Sequence, residues 1–104
     1  MKICFSPNNI RIRLQAEEIT RFAEEGCLSD CQALPGTSRS QLHFSLIQTA
    51  QTEFSVNLLS NHLRIYVPDQ LSETWCRTGQ NALKAQLDCG AGKILQISLE
   101  KDIK

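Results

Sequence analysis

The sequence predicts an α+β fold, a single domain over residues 1–104 built from two ββαββ repeats, 1–51 and 54–104. Eight mostly antiparallel strands are expected in a bent sheet, a barrel or two facing sheets, with two helices and a pseudo-twofold axis. Three observations carry this. The chain aligns with itself without a gap at an offset of 53 residues. Each half alternates apolar and polar residues, switches to helical spacing, then alternates again. A glycine, Gly26 or Gly79, follows each helical stretch.

At that offset the identical pairs are Asn8/Asn61, Arg11/Arg64, Ile12/Ile65, Gly26/Gly79, Leu34/Leu87, Leu42/Leu95, Ser45/Ser98 and Leu46/Leu99. Random pairing of average composition gives roughly three. Ile3/Val56, Phe5/Leu58, Ile10/Leu63 and Phe44/Ile97 add conservative matches in phase.

In the first half, residues 2–5 form a short strand with Ile3 and Phe5 on one face, and Ser6-Pro7-Asn8-Asn9 has turn composition. Residues 10–14 turn Ile10, Ile12 and Leu14 inward and Arg11 and Arg13 outward. A helix over 16–25 buries Ala16, Ile19, Phe22 and Ala23, and Gly26 ends it in a left-handed conformation. Strands 28–34 and 41–48 meet at Pro35-Gly36-Thr37-Ser38, with Leu42, Phe44 and Leu46 inward. A short polar linker, Gln48 to Glu53, leads on.

The second half runs from strand 54–59 through Ser60-Asn61 to strand 62–67, with Leu63, Ile65 and Val67 inward. Pro68 opens a helix over 68–78 that places Leu71 and Trp75 one turn apart, Trp75 in the core. Arg77 complements its dipole and Gly79 closes it. Strands 82–88 and 93–100 meet at Gly90-Ala91-Gly92. Lys93 then opens a strand and not a helix, which makes this a hairpin turn and not a phosphate loop. One misfit stands out. Ile19 aligns with Ser72 and Glu18 with Leu71, so the two helices are expected to differ in rotation at their first turns.

Lys and Arg total 11 and Asp and Glu total 11, so the formal net charge is zero, with 41% apolar and 21% charged residues. That balance opposes a strongly basic nucleic-acid-binding domain. No 18-residue apolar run spans a membrane, and no basic start with an apolar stretch marks a signal peptide. The five cysteines, Cys4, Cys27, Cys31, Cys76 and Cys89, are odd in number. They read as free thiols used as small hydrophobes in a reducing cytoplasm. Cys27 and Cys31 open a C-x3-C pattern without a second pair. On one strand they stand roughly 13 Å apart, too far to share a zinc ion.

The chain resembles a family of uncharacterised small bacterial proteins. The resemblance rests on Asn8-Asn9-Ile10-Arg11-Ile12-Arg13-Leu14, an acidic helix ending at Gly26, a helix with Pro68 and Trp75, and Leu99-Glu100-Lys101-Asp102. It spans nearly the whole chain and implies no activity, substrate or cofactor.

Arg11, Arg13 and Arg64 are the candidate site, a weak anion-binding set. Guanidinium groups donate paired hydrogen bonds to carboxylate or phosphate, and Arg11 and Arg64 are repeat equivalents. The competing expectation is an exposed strand face where arginines pair across strands with Asp or Glu. Tyr66 stands where Arg13 stands in the first half. Glu17, Glu18, Glu24 and Glu25 form a solvated helix face, with Glu17 and Arg21 spaced to pair. His43 is outward on a strand and His62 is in a hairpin turn, neither with a Ser or Asp at triad spacing. No catalytic residue, metal ligand set or cofactor is assigned. The leading expectation is a non-catalytic binding or scaffold module. A small hydrolase or metal-dependent enzyme is the alternative, and a nucleic-acid binder with Arg11, Arg13 and Arg64 in one basic stripe is the third. Strands 28–34 and 41–48 are expected to leave an open edge, which suits a homodimer.

Overall fold

Hairpin turns are made where the sequence supplies residues that tolerate left-handed backbone. Asn8 (φ 64°) turns β1 (Lys2–Ser6) into β2 (Asn9–Leu14), and Ser60 and Asn61 (φ 51° and 62°) turn β5 (Ser55–Leu59) into β6 (His62–Pro68). Ala91 and Gly92 do the same between β7 (Ala82–Gly90) and β8 (Lys93–Lys101). The remaining elements are α1 (Ala16–Glu25), β3 (Cys27–Ala33), β4 (Gln41–Thr49) and α2 (Asp69–Arg77). This computed structural model describes residues 1–36 and 40–102. Thr37 and Ser38 of the expected turn lie outside the described residues.

The ββαββ order occurs twice in a single α+β domain. The eight strands form two four-stranded sheets and not a closed barrel. Sheet A has the order β1-β2-β8-β7 and sheet B the order β3-β4-β6-β5. Each hairpin is antiparallel, but the central pairs β2·β8 and β4·β6 are parallel. Each sheet thus joins one hairpin from either half. The central registers correspond: Ile12 faces Leu99 and Arg11 faces Ser98 in sheet A, while Ile65 faces Leu46 and Arg64 faces Ser45 in sheet B. The edges are β1, β7, β3 and β5. Strand β4 is central, so the open edge expected on 41–48 is not there.

The inward rows Ile10, Ile12, Leu14, Ile97 and Leu99 of sheet A and Leu63, Ile65, Val67 and Leu46 of sheet B share one buried cluster with Ile19, Phe22 and Trp75. Each fully buried side chain of this size contributes roughly 1.5–3 kcal/mol of apolar transfer free energy.

The equal offset breaks in the third strand of each half. Leu28 pairs with Leu46 and Leu83 pairs with Leu99, an offset of 55. The two extra residues lie after α2. One residue, Gly26, joins α1 to β3, whereas residues 78–81 join α2 to β7. A one-residue connection forces the chain to reverse at Gly26, at φ 73°. The longer one does not, and Gly79 is not left-handed: α2 ends on an extended Thr78. The expectation that Gly79 caps α2 as Gly26 caps α1 is therefore corrected, as is the gapless alignment.

The helices also do not differ in rotation. Ser72 is fully buried at the position of Ile19, and Leu71 is 45% exposed. Leu71 is thus not core. The hydroxyl at this apolar site is satisfied by Gln48, whose Nε2 donates to Ser72 Oγ at 2.9 Å and to the Phe22 carbonyl at 3.3 Å. At the equivalent position Lys101 donates from Nζ to the Thr78 carbonyl at 2.6 Å and lies 5.5 Å from the Trp75 ring centroid. The last inward residue of β4 and that of β8 thus each bind carbonyls towards the C-terminal end of a helix.

Removing Gln48 leaves the Ser72 hydroxyl buried without its partner. Gln48→Ala is expected to lower stability by about 1–3 kcal/mol. Urea unfolding followed by the fluorescence of Trp75 measures it, and Leu71→Ala on the exposed side of the same helix has the smaller effect.

Candidate functional site

Alternation along the strands turns a second set of residues away from the core, onto the outer face of each sheet. On sheet A the register sets Lys84, Ser98, Arg11 and Cys4 in one row, and Ala82, Glu100, Arg13 and Lys2 in the next. Glu100 is the centre of this face. Arg11 Nη2 donates to its Oε1 at 2.9 Å and Arg11 Nε to its Oε2 at 3.4 Å. Arg13 Nε reaches Oε1 at 3.3 Å, and Ser98 Oγ donates to Oε2 at 2.8 Å. These donors hold the Glu100 carboxyl at a pKa of about 2, the Arg11 hydrogen bond foremost and that of Ser98 next, against the penalty of burial. The same contact raises the Arg11 pKa. A shallow hollow of about 680 Å³ lies here, lined by Asn9, Arg11, Lys84, Gln86, Gln96, Ser98 and Glu100 among others.

On sheet B the corresponding rows are Cys31, His43, His62 and Leu59; then Ser29, Ser45, Arg64 and Asn57; then Cys27, Ile47, Tyr66 and Ser55. Ile47 stands where Glu100 stands on sheet A, and no Asp or Glu occurs in these rows. Among the described residues no salt bridge and no side-chain hydrogen bond engages Arg64, which is half-buried. Beside it Ser29 Oγ and Ser45 Oγ are 2.8 Å apart, and Ser45 Oγ is 2.7 Å from His62 Nε2. Ser45 is 4% exposed. Burial lowers the His62 pKa, and the charges of Arg64 and His43 lower it further. The His43 and His62 ring centroids are 5.9 Å apart.

The structure therefore brings Arg11 and Arg13 together on one carboxylate and leaves Arg64 on a different sheet. The three do not form one clamp or one basic stripe. His62 is the first residue of β6 and not part of a turn. It does have a serine partner, which sequence spacing missed because the pair forms between β4 and β6. Cys4, Cys27, Cys31 and Cys89 are exposed and only Cys76 is half-buried, so most of the thiols do not act as small core hydrophobes. Burial raises the Cys76 pKa. Among the described residues no three His, Cys, Asp or Glu side chains converge as metal ligands. The pairing of Glu17 with Arg21 is not seen; Glu18 instead accepts from the Met1 ammonium and from the Gln15 backbone N–H at 3.0 Å.

The chain matches the family of unknown function DUF7009 over residues 1–104 and belongs to that family. No curated protein and no solved structure matches it.

Glu100 links stability to pH. Its folded pKa is depressed, so its contribution is present above the ordinary carboxylate value of 4.5 and is lost as pH falls towards about 2. Urea midpoints measured between pH 6 and pH 2 are expected to drop below about pH 4.5. Glu100→Gln flattens that drop.

Proposed function

We propose that the chain is a non-catalytic binding module that holds an anionic ligand against the outer face of sheet B, with Arg64 as the charge partner. One observation carries this. Arg11 and Arg64 occupy matching positions, yet Arg11 has an internal carboxylate and Arg64 has none among the described residues. Arg64 is half-buried as a residue, and its charge meets no carboxylate among the described residues. An incoming anion supplies the missing charge and accepts from the guanidinium edge, and the face carries no acidic residue to repel it. The hollow on sheet A is a poorer anion site, because a ligand there must displace Glu100 from Arg11.

A second reading, a small hydrolase, rests on the 2.7 Å contact between Ser45 and His62 beside Arg64. The near-complete burial of Ser45 opposes it, since a nucleophile must reach its substrate. Hydrolysis of nitrophenyl esters lost in Ser45→Ala would favour this reading. The separation of Arg64 from Arg11 and Arg13 speaks against a nucleic-acid stripe.

No helix among the described residues is long and apolar enough to cross a membrane, and the exposed free thiols suit a reducing cytoplasm. A homodimer paired along an edge strand such as β3 fits the open edges; light scattering that gives 11.7 kDa at every concentration would exclude it.

Titration calorimetry with acetate and with inorganic phosphate tests the anion site. At least one is expected to bind, with affinity falling about tenfold or more in Arg64→Gln, in line with loss of a charged hydrogen bond. Arg11→Gln keeps it. Equal binding by all three proteins would overturn the reading.

A further inference from the structure

We propose that the anion received at Arg64 is a carboxylate, held as Glu100 is held on sheet A and carried by a molecule whose apolar part rests on Ile47 and Tyr66. This rests on the anion-binding reading and names the ligand class for that site. The molecule holds its own template. On sheet A one arginine, one serine and a second donor in the next row surround a planar two-oxygen group. On sheet B the same registers hold Arg64 for Arg11, Ser45 for Ser98 and Tyr66 for Arg13. The guanidinium and the hydroxyl are conserved between the two faces, and a phenol O–H stands for the third donor. What differs is the source of the carboxylate. Ile47 occupies the backbone position of Glu100, so sheet B supplies no carboxylate of its own at this register.

Three features favour a carboxylate over a phosphate. The donors around Glu100 address two oxygens, and a phosphate brings further oxygens that would face the side chain of Ile47 without partners. Arg64 is the single lysine or arginine in these rows, which matches a monoanion. Ile47 and Tyr66 are both half-buried and adjacent across the β4·β6 pair. They offer apolar contact to whatever carries the acid, as a hydrocarbon or aromatic group does. Ser45 is nearly buried and acts behind Arg64, where its hydroxyl is shared with Ser29 Oγ and His62 Nε2. The ligand meets Arg64 and Tyr66, and its negative charge favours the protonated His62 imidazole.

The experiment compares 4-phenylbutyrate, acetate, phenyl phosphate and inorganic phosphate, read by backbone amide and histidine ring shifts in two-dimensional NMR. Phenylbutyrate is expected to bind at least threefold more tightly than acetate and than either phosphate, and to move the amides of Ser45, Arg64 and Tyr66. It is also expected to raise the midpoint of the His62 titration. Ile47→Glu places an internal carboxylate beside Arg64 and is expected to abolish probe binding with Arg64 still present. Its retained amide spectrum shows that it is folded. Phosphate binding as tight as or tighter than phenylbutyrate, lost in Arg64→Gln, would overturn the carboxylate while leaving an anion site. Undiminished binding in Ile47→Glu would overturn the template argument. No binding of any probe to the unmodified chain would overturn both this proposal and the anion reading beneath it.

Discussion

The parallel pairing of β2 with β8 and of β4 with β6 is the constraint on which the rest depends. Parallel neighbours cannot be joined by a tight turn, so each must come from a distant part of the chain. Here they come from opposite halves. The β1–β2 hairpin has no interior partner until β8 arrives from the C-terminal end, and the β5–β6 hairpin needs β4. A half of this length buries too little apolar surface to stand comfortably alone, and a two-stranded hairpin is marginal in water. The exchange resolves both problems at once, because each sheet has two central strands whose inward rows face one common core. It also makes the key contacts long-range: Arg11 and Glu100 are 89 residues apart. Such topology closes its loops late and folds slowly compared with a helical bundle.

The same exchange builds the two outer faces. Because the central registers correspond, each face has an arginine opposite a serine. The frame supplies position and leaves the chemistry to a few neighbours. One neighbour, Glu100 or Ile47, decides whether the arginine is neutralised from within. Another, Asn9 or His62, decides whether the serine has an imidazole beside it. Sheet A has become a closed ion cluster that strengthens the join between β2 and β8. Sheet B has kept the donors without the acceptor.

Much of the fold was legible in the residues. The alternation of Ile10, Ile12 and Leu14, and of Leu63, Ile65 and Val67, marked the central strands and their inner faces. Gly26 was read correctly because a one-residue reversal leaves few alternatives to glycine. Gly79 was misread because an identical residue does not imply an identical connection; four residues follow α2 where one follows α1. The expected difference in helix rotation fails because Ser72, at the position of Ile19, is buried. Its burial depends on Gln48, a residue 24 positions away that no local pattern ties to it. The candidate site was legible in part. The arginines and their match at the offset were visible, as was the match of Glu100 with Ile47. The consequence of that match was not, because it depends on which strands lie side by side. The contact of Ser45 with His62 has the same origin, since it exists only when β4 and β6 are neighbours.

The places where the two halves differ carry more information than those where they agree. Agreement at Ile12 and Ile65, or at Leu46 and Leu99, is what packing requires of any core. A difference on an outer face is under no such demand. Had sheet B needed only stability, a carboxylate at position 47 would have supplied it, as Glu100 does in the same frame. Instead an apolar residue leaves Arg64 without a counter-charge among the described residues, next to a serine and an imidazole joined by a hydrogen bond. Local rules of folding are broken where something else is gained. Arg64 is such a position: among the described residues its cross-strand neighbours offer donors and no carboxylate.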